Sequence, residues 1–282
     1  MQLPLNEIRD QQHDTWNKFS GGWKKWNDFT MDFLKPMGNA MITELEISEK
    51  DIVLDIASGT GEPAITIAGI ARNGKVVATD LSEQMLEVAT ENARSKGLEN
   101  FETRVTDVSE LPFAENSFDK ISCRMGFMFF PDMQLAASEM YRVLKPGGRM
   151  ATSIWYNPQK NAWITGIMGI INSNMQLPPP NPSAPSMFRC AQPGLIKSLL
   201  QKAGFKNIKE QEITGKVKYN NFAHFWNMTN DVAAPVVGAL SKADDTMRTK
   251  IKNEMEVFAG KHTGPDGFAM EYCSLVISAE KE

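Results

Sequence analysis

The segment VLDIASGTGEPAITIA, residues 53–68, restricts the fold of this chain more than any other part of the sequence. It begins with a short apolar, β-branched run, passes through a glycine-containing turn and continues into a helix-forming run. Gly59 and Gly61 allow a ligand to approach the backbone closely, and the first turn of the following helix offers free N–H groups. Pro63 is tolerated in that first turn. The segment therefore predicts a strand, a ligand-binding turn and a helix, in that order.

Strand and helix signals alternate through the middle of the chain. Four further strands are expected, at KVVATD (75–80), FETRVTD (101–107), FDKISCR (118–124) and GRMATSIW (148–155), and two late ones at 213–220 and 270–281. Helices are expected at 82–97, with Ser82 as the N-cap, and at 133–144. Alternating strands and helices imply βαβ units. We therefore predict an α/β fold with a Rossmann-like, mostly parallel sheet that binds ligands at the carboxyl ends of its strands.

Residues 1–45 precede the first expected strand and do not follow this alternation. Their aromatic residues include Trp16, Phe19, Trp23, Trp26 and Phe33. Spacings of three, four and seven place these side chains on one face of a helix, which we expect Gly21-Gly22 to interrupt. The segment predicts a helical N-terminal lid over the sheet.

Two insertions are expected in the second half of the chain. Residues 158–190 include prolines at 178, 179, 180, 182 and 185, and such a run favours an extended loop. Residues 221–268 separate the two late strands. The predicted parts are the lid (1–45), a cofactor-binding core (46–157) and the rest of the sheet (158–282), with substrate-capping insertions at about 158–190 and 221–268.

Two cofactor classes fit the glycine turn. The run GTGEPA satisfies the dinucleotide pattern G-x-G-x-x-G/A, and Asp80 lies 21 residues after Gly59, where the ribose-binding acid of an NAD site belongs. Asp55 favours a different ligand, because a carboxylate beside the turn would repel a pyrophosphate. S-adenosylmethionine has no phosphate, and it has an amino group with which Asp55 could pair. In the alternative interpretation, Asp55 only caps the turn by binding local N–H groups.

Two more acids end later strands. Asp80 is suited to accept hydrogen bonds from a ribose diol, and Asp107 to accept one from an adenine amino group. Any single acid of this kind could be a solvated residue, but three at the ends of successive strands favour a cofactor site. Met85 could pack on the adenine face, although a methionine at helical spacing also fits a hydrophobic core.

Four segments carry a resemblance to a known family. They are VLDIASGTGEPA, VVATDLSEQML, VTDVSELPFAENSFDKISCR and EMYRVLKPGGRMATSIW, within about residues 45–156. Together they resemble the successive motifs of class I S-adenosylmethionine-dependent methyltransferases, most of all the branch that contains the ubiquinone and menaquinone C-methyltransferases. The resemblance implies a seven-stranded sheet whose last strand is antiparallel, and S-adenosyl-L-methionine as the cofactor.

Resemblance and position together predict the cofactor-binding residues. They are Asp55, Ala57, Ser58, Gly59, Gly61, Asp80, Leu81, Met85, Asp107, Val108 and Arg124. Ala57 departs from the family, since many members have a glycine there, and its methyl group is acceptable if the residue has a negative φ. Arg124 ends the fourth strand and could bind either the carboxylate of the cofactor or a surface acid.

The exit of the fourth strand, residues 124–130, should face the transferred methyl group. It is mostly apolar, and Met125, Phe127 and Met128 are predicted to contact the acceptor together with Trp23. The alternative is that these apolar side chains pack in the core. A pocket of this kind suits a small, largely apolar or aromatic molecule.

Catalysis needs few side chains here, because the methyl group of a sulfonium is already activated and the protein mainly positions the acceptor and excludes water. Some acceptors need a general base. The weak candidates are His13, His224 and Asp132, for which a surface position, a buried structural role and a helix cap are the respective alternatives. No catalytic residue is assigned.

Composition argues against several partners. The net charge of −4 argues against nucleic acid, and neither a secretory signal nor a run of 18 apolar residues is present, so no membrane insertion is expected. Cys123, Cys190 and Cys273 are widely separated, which favours a reducing cytoplasm and predicts no metal site. We expect a cytoplasmic enzyme that methylates a small acceptor at oxygen or carbon, with its oligomeric state left open. The alternatives are an NAD-dependent oxidoreductase and a non-catalytic S-adenosylmethionine-binding protein.

Overall fold

A β-sheet with helices on both faces forms the frame of the protein. The computed structural model describes residues 4–177, 181, 184–264 and 267–282. In these ranges the strands are β1 (Ile52–Ile56), β2 (Lys75–Asp80), β3 (Phe101–Val105), β4 (Phe118–Arg124), β5 (Leu144–Trp155), β6 (Lys206–Tyr219), β7 (Thr263–Gly264) and β8 (Gly267–Glu280). The helices are α1 (Leu5–Lys25), α2 (Asn27–Leu45), α3 (Ala64–Ile70), α4 (Glu83–Ser95), α5 (Met133–Val143), α6 (Ala162–Met175), α7 (Leu195–Ala203), α8 (Phe222–Val232), α9 (Ala234–Leu240) and α10 (Asp245–Gly260).

The strand order is β3-β2-β1-β4-β5-β8-β6, with β7 beside β8. The first five strands pair in parallel, whereas β8 pairs antiparallel with both β5 and β6. This confirms the predicted mostly parallel sheet with an antiparallel last strand. The two-residue strand β7 adds a short antiparallel pairing with β8 that the sequence did not predict.

The order of the strands reverses between β1 and β4, and ligands of such sheets bind at the carboxyl ends beside the reversal. Register pairs Asp55 of β1 with Ala78 of β2 on one side and with Ser122 of β4 on the other. Paired residues of parallel strands share a face, and so do residues two apart along one strand. Asp55, Ser122 and Arg124 therefore lie on the same face of the sheet.

Helices cover both faces of the sheet. On one face, Met41 of α2 and Ile67 of α3 pack with Val53 of β1 in a buried cluster. In the main core cluster, Met140 of α5 packs with Ile121 of β4. Burial from both sides explains why β1 and β2 are largely apolar and why residues 150–155 of β5 are all buried. No helix in the described ranges is both long and apolar enough to span a membrane.

Helix α1 runs through Gly21-Gly22, so the predicted interruption at these glycines is wrong. The break between α1 and α2 falls at Trp26 instead. A Cβ atom at Gly22 would lie 2.0 Å from the carbonyl oxygen of Asp231 in α8. Gly22 therefore allows two helices to pack closely, and this contact with a distant part of the chain overrides the weak local preference of glycine.

The insertion at 158–190 contains a helix that the sequence analysis did not predict. Helix α6 occupies Ala162–Met175 and buries Trp163, Ile164, Ile167 and Ile171. Pro185 follows in a non-helical segment, as predicted, whereas prolines 178, 179, 180 and 182 lie outside the described residues. The insertion at 221–268 holds α8, α9, α10 and β7.

Candidate active site at the carboxyl ends of the strands

Asp80 joins the glycine turn to the end of β2. Its Oδ2 accepts a hydrogen bond from the N–H of Gly59 at 2.9 Å, and its Oδ1 accepts one from the N–H of Ser82 at 2.9 Å. These bonds fix the orientation of the carboxylate, and each oxygen keeps a second acceptor position. Burial raises the pKa of Asp80, and the neighbouring N–H groups oppose that rise. The carboxylate is oriented to accept hydrogen bonds from a diol.

Ala57 has a φ of 55°, so the condition of a negative φ, under which its methyl group would be accepted without strain, is not met. A left-handed backbone costs a non-glycine residue about 1 kcal/mol. Met125, at the exit of the neighbouring strand β4, is also left-handed, with a φ of 60°. The two residues are close, since a Cβ atom at Gly126 would lie 2.9 Å from the Cβ of Ala57. Strained backbone of this kind concentrates at ligand-binding sites.

Asp55 is 1% exposed and carries a carboxylate that is only half satisfied. Its Oδ1 accepts a hydrogen bond from the hydroxyl of Ser122, while its Oδ2 is buried and has no partner in the part of the chain that the structure describes. Burial raises the pKa of Asp55 to about 6. No backbone N–H of the turn binds this side chain in the described residues, so the geometry does not match the turn-capping interpretation. A buried acceptor without a partner is costly and points to a missing donor.

The remaining predicted cofactor residues surround this point. Asp107 follows β3, and its Oδ1 accepts a hydrogen bond from the N–H of Ser109 at 2.8 Å. Val108 begins the short 3₁₀ turn after it and is buried. Met85 is 2% exposed in α4, which fits the core interpretation of this residue, while Leu81 lies between β2 and α4 and is partly exposed. The carboxyl ends of β1 to β4 thus bring the predicted residues to one edge of the sheet.

Arg124, the last residue of β4, has no carboxylate partner within the described ranges. One guanidinium nitrogen lies 3.2 Å from the sulfur of Met31 in α2, and a thioether is a weak acceptor. Burial lowers the pKa of Arg124 to about 10, and Asp55 partly offsets this effect. Two partners were predicted for Arg124, the carboxylate of the cofactor or a surface acid. The structure shows no ion pair between Arg124 and a surface acid in the described residues.

Helix α1, which we call the lid helix after its predicted role, contacts segments that follow these strand ends. Its His13 contacts Glu83 of α4 at 3.0 Å, and its Asn17 accepts a hydrogen bond from the hydroxyl of Ser82. Further along, the ring of Trp16 meets that of Phe129, beyond β4, edge to face with centroids 5.0 Å apart. The lid helix therefore bridges the segments that follow β2 and β4.

Comparison with known proteins identifies the family of this chain. Residues 53–148 match the family model described as a methyltransferase domain. A demethylmenaquinone methyltransferase of Thermus thermophilus is 31% identical over 164 residues, which are 54% of this chain and 73% of that protein. Its counterpart in Staphylococcus saprophyticus is 26% identical over 220 residues, 74% of this chain and 94% of that protein. This chain belongs to the class I S-adenosylmethionine-dependent methyltransferases. Within that family it resembles the menaquinone branch.

The solved structures agree on the fold. The YcgJ protein of Bacillus subtilis superposes with a TM-score of 0.58 and 21% identity, covering 87% of this chain and 98% of that protein. The cofactor of the methyltransferase is S-adenosyl-L-methionine, and the NAD-dependent alternative is overturned by the family. Among the described residues, Oδ2 of Asp55 has no donor and the guanidinium of Arg124 has no carboxylate partner, which fits a ligand with one cationic and one anionic group.

The three weak candidates for a catalytic base lie apart in the methyltransferase, and each is engaged in a structural contact. Asp132 caps α5, since its Oδ1 accepts a hydrogen bond from the N–H of Leu135 at 2.9 Å. His13 contacts Glu83 and Asp14, whose carboxylates raise its pKa. Asp132 thus serves as a helix cap, and His13 connects the lid helix to α4.

His224 of the methyltransferase stacks on Trp26, with ring centroids 5.1 Å apart. Its Nδ1 accepts a hydrogen bond from the N–H of Asn220, so the proton of the neutral ring is on Nε2. Burial lowers the pKa of His224. The neutral ring therefore has no free lone pair with which to accept a proton.

The exit of β4 meets the lid helix and one insertion. Phe127 and Met128 are fully buried in the core, whereas Met125 is partly buried. The backbone of Met128 accepts a hydrogen bond from the N–H of Ser186, and that of Phe130 accepts one from Arg189. Residues 186–189 are thereby fixed to the exit of β4.

Helix α8 of the second insertion meets the C-terminal end of the lid helix. Trp26 and Lys25 both donate to Asp231 of α8, at 2.7 and 2.6 Å. The indole N–H of Trp23, in the same turn of the lid helix, is buried without a partner in the described ranges. In the methyltransferase, the lid helix thus contacts the exit of β4 through Trp16 and α8 through Lys25, two segments far apart in sequence.

Sequence reasoning missed two residues that matter here. Ser122, the partner of Asp55, is a polar residue in a buried strand, and this departure from an apolar run could have identified it. Phe129 lay inside the predicted exit but was not singled out, and only its contact with Trp16 shows that it connects the exit of β4 to the lid helix.

Proposed function

We propose that this methyltransferase transfers the methyl group of its cofactor to a small, largely apolar or aromatic molecule, at an oxygen or an activated carbon. The observation that carries the proposal is the covering of the apolar exit of β4 by Trp16 of the lid helix and by residues 186–189. A site enclosed in this way favours an acceptor that can enter as a single small molecule. A nucleic-acid acceptor would call for a basic approach surface, and the net charge is −4.

On this proposal the strand ends hold the cofactor through residues of three strands. Asp80 accepts hydrogen bonds from the ribose hydroxyls, Asp107 and Val108 hold the adenine, and the turn at 57–61 with Leu81 lines the space between them. When bound, S-adenosyl-L-methionine supplies a methyl group that its sulfonium has already activated. The chain itself contributes orientation of both reactants and exclusion of water.

The lid helix supplies the polar contact that orients the acceptor. The indole N–H of Trp23 is buried without a partner in the described residues, and it can donate a hydrogen bond to an acceptor oxygen. In the same proposal, Met125 provides an apolar contact to the acceptor. Because His13, His224 and Asp132 are engaged elsewhere, the favoured acceptor is one whose reacting group loses its proton without a strong base, such as a phenol or an enol.

The test is a turnover assay that measures S-adenosylhomocysteine formation with a panel of acceptors. The panel contains small phenols and quinols, with demethylmenaquinone included because the relatives are named for it, and also transfer RNA and unfolded protein. We expect turnover with a member of the first group only. Turnover confined to the nucleic acid or the protein would overturn the proposal.

A matched pair of variants tests the acceptor contact. Trp23→Phe keeps the ring and removes the unpartnered N–H, so KM for the acceptor should rise about 5- to 20-fold while cofactor affinity stays unchanged. Trp163→Phe is the control, because its indole N–H already bonds to Asn161. This second variant should lose stability and keep the same KM. Equal KM values in both variants would remove Trp23 from the acceptor site.

A further inference from the structure

Strand β6 forms one edge of the sheet, and its outer side is unpaired. It spans 14 residues and pairs with β8 alone, whereas β3, at the opposite edge, spans five residues. In the ranges that the structure describes, the backbone of β6 makes hydrogen bonds to no element other than β8. A long edge of this kind presents a row of free N–H and C=O groups with which another strand can pair.

The exposed face of β6 carries its charges in a definite order. Alternate residues of a strand share a face, and the residues at even positions from 210 to 218 are all exposed. In chain order they are two acids, one threonine and two lysines: Glu210, Glu212, Thr214, Lys216 and Lys218. On this face the strand is therefore acidic before its central threonine and basic after it.

Most of these charges have no partner within the molecule. The ion pairs of the described residues do not include Glu210, Lys216 or Lys218. Glu212 contacts Lys160 at 3.1 Å, but the two side chains are 40% and 48% exposed, so this ion pair contributes little. Three of the four charges are thus available to a partner.

Charges on an edge strand usually keep other strands away. The order found in β6 has the opposite effect on a second copy of the same strand that runs antiparallel to it about Thr214. Pairing centred on this residue sets Glu210 opposite Lys218 of the second copy. It also sets Glu212 opposite Lys216, and the two-fold axis repeats both pairs. Moving the centre by two positions of the register, one residue on each strand, leaves a single kind of Glu–Lys pair, so charge favours the register centred on Thr214.

We propose that this protein forms a two-fold dimer in which the β6 strands of two copies pair antiparallel about Thr214 and join the two sheets into one. Such a contact closes on itself, because both copies use the same edge. On the other face of the sheet, the same register sets Ile213, which is partly exposed, opposite Gly215 of the second copy, which has no side chain to obstruct it. The inference is independent of the proposed acceptor.

The test is charge reversal, read by sedimentation equilibrium of the full-length protein. Wild-type protein should pass from monomer to dimer between about 1 and 100 µM. Lys216→Glu combined with Lys218→Glu makes the exposed face of β6 acidic throughout. Glu210→Lys combined with Glu212→Lys makes it basic throughout. Each double variant should raise the dissociation constant of the dimer about 100-fold, because like charges then oppose each other across the two-fold axis.

Rescue separates a paired edge from a general effect of charge. A mixture of the two double variants should form a dimer with one copy of each, and the variant with all four substitutions should again form a homodimer. Lys250→Glu combined with Lys252→Glu is the control, because these exposed lysines of α10 lie away from β6 and change the net charge as much as the acidic double variant does. The control should dimerise as the wild type does.

Hydrogen exchange at low and high protein concentration locates the contact. Backbone amides within residues 209–219 should exchange several-fold more slowly in the dimer. A wild-type protein that is still monomeric at about 100 µM would overturn the proposal. So would a dimer that both double variants retain, or one in which the amides of β6 gain no protection. Should a double variant not fold, the wild-type dimer decides, because about 1 M salt should weaken a contact that depends on opposite charges, and a dimer that salt leaves unchanged would contradict it.

Discussion

The strand ends and the lid helix above them are held in place by different kinds of contact. Below, Leu54 of β1 and Ile121 of β4 pair in register and are fully buried. Above, the lid helix buries the large apolar side chains of Ile8 and Phe19 only, and it meets α4 through ion pairs such as Lys24 with Glu91, whose side chains are 56% and 57% exposed. An exposed ion pair contributes about 0–1 kcal/mol, and burial of a large apolar side chain about 1.5–3 kcal/mol. The strand ends should therefore stay formed under conditions in which the lid helix opens.

Removing the lid helix is the most severe way to test this difference. Deletion of residues 1–25 should leave a folded sheet and lower turnover at least 100-fold, because the exit of β4 then opens to water. The deletion stops there because Thr30 and Leu34 of α2 are buried in the frame. Circular dichroism and the turnover assay measure the two effects. Full activity in the shortened protein would show that the lid helix does not cover the reaction.

Asp80→Ala acts on the strand ends alone. Loss of a charged acceptor for the ribose hydroxyls should weaken binding of S-adenosylhomocysteine by roughly 1.5–3 kcal/mol in calorimetry. Asp119→Ala is the matched control, since Asp119 is an acid of β4 that bonds to the N–H of Ile52 and to Lys145, away from the carboxyl ends. If both variants bind alike, Asp80 is not part of the cofactor site.

Adjacent glycines of the lid helix offer a finer comparison. Gly22→Ala places a methyl group against the backbone of Asp231 and should separate the lid helix from α8, lowering turnover about tenfold, while cofactor affinity changes less. Gly21→Ala meets nothing within 4 Å and should stabilise the helix by up to about 1 kcal/mol. Steady-state kinetics and thermal unfolding of both variants check this. Similar kinetics in the two would mean that the contact of α1 with α8 is unimportant for turnover.

The two regions should also respond differently to pH. The pKa of Asp55 is raised from 3.8 to about 6, so the free protein loses stability as pH rises between these values. Binding of an ammonium group needs the ionised form, so affinity for S-adenosylhomocysteine should fall about tenfold per pH unit below pH 6. Asp55→Asn should abolish this dependence. An unchanged pH profile in that variant would assign the titration to another group.

Substitution of His13 is expected to have the smallest effect. Its contribution is lost as pH rises, whereas the contribution of Asp55 to cofactor binding is lost as pH falls. Its pKa is raised above 6.5 by Asp14 and Glu83. The protonated ring of His13 helps to hold the lid helix against α4, so this stabilisation is fully present below pH 6.5 and is lost as pH rises through the raised pKa. His13→Gln should speed release of S-adenosylhomocysteine at most a few fold at pH 6 and not at all at pH 9. Stopped-flow fluorescence follows the release. A larger effect at pH 9 would contradict a charge-based attachment.

The sequence predicted the strand ends better than the lid helix, for a physical reason. Strands β2 and β4 begin and end at the expected residues, because the local pattern of apolar and β-branched residues and the polar residues at their ends mark their limits. Strand β5 is longer than expected and begins at Leu144, which pairs with Phe118 before a bulge. Pairing with a neighbour, which local pattern does not encode, extended it.

The contacts that complete the site join residues that are far apart in the sequence, and local sequence patterns predict such contacts poorly. The acids Asp55, Asp80 and Asp107 could be placed because parallel strands bring their carboxyl ends together. The close packing of Gly22 against Asp231 could not be predicted, because the two residues are 209 positions apart in the sequence. Local propensity is a weak guide wherever such a tertiary contact decides the backbone.

The most direct test of this account is a crystal structure of the protein with S-adenosylhomocysteine. The account predicts ribose hydroxyls within hydrogen-bonding distance of Asp80 and a sulfur atom that faces Met125 and Phe129 in an enclosed apolar pocket beneath the lid helix. A cofactor bound away from Asp80 would contradict the assignment of the site. A sulfur that opens onto a broad, charged, solvent-filled surface would contradict the small-molecule acceptor and favour a macromolecular one.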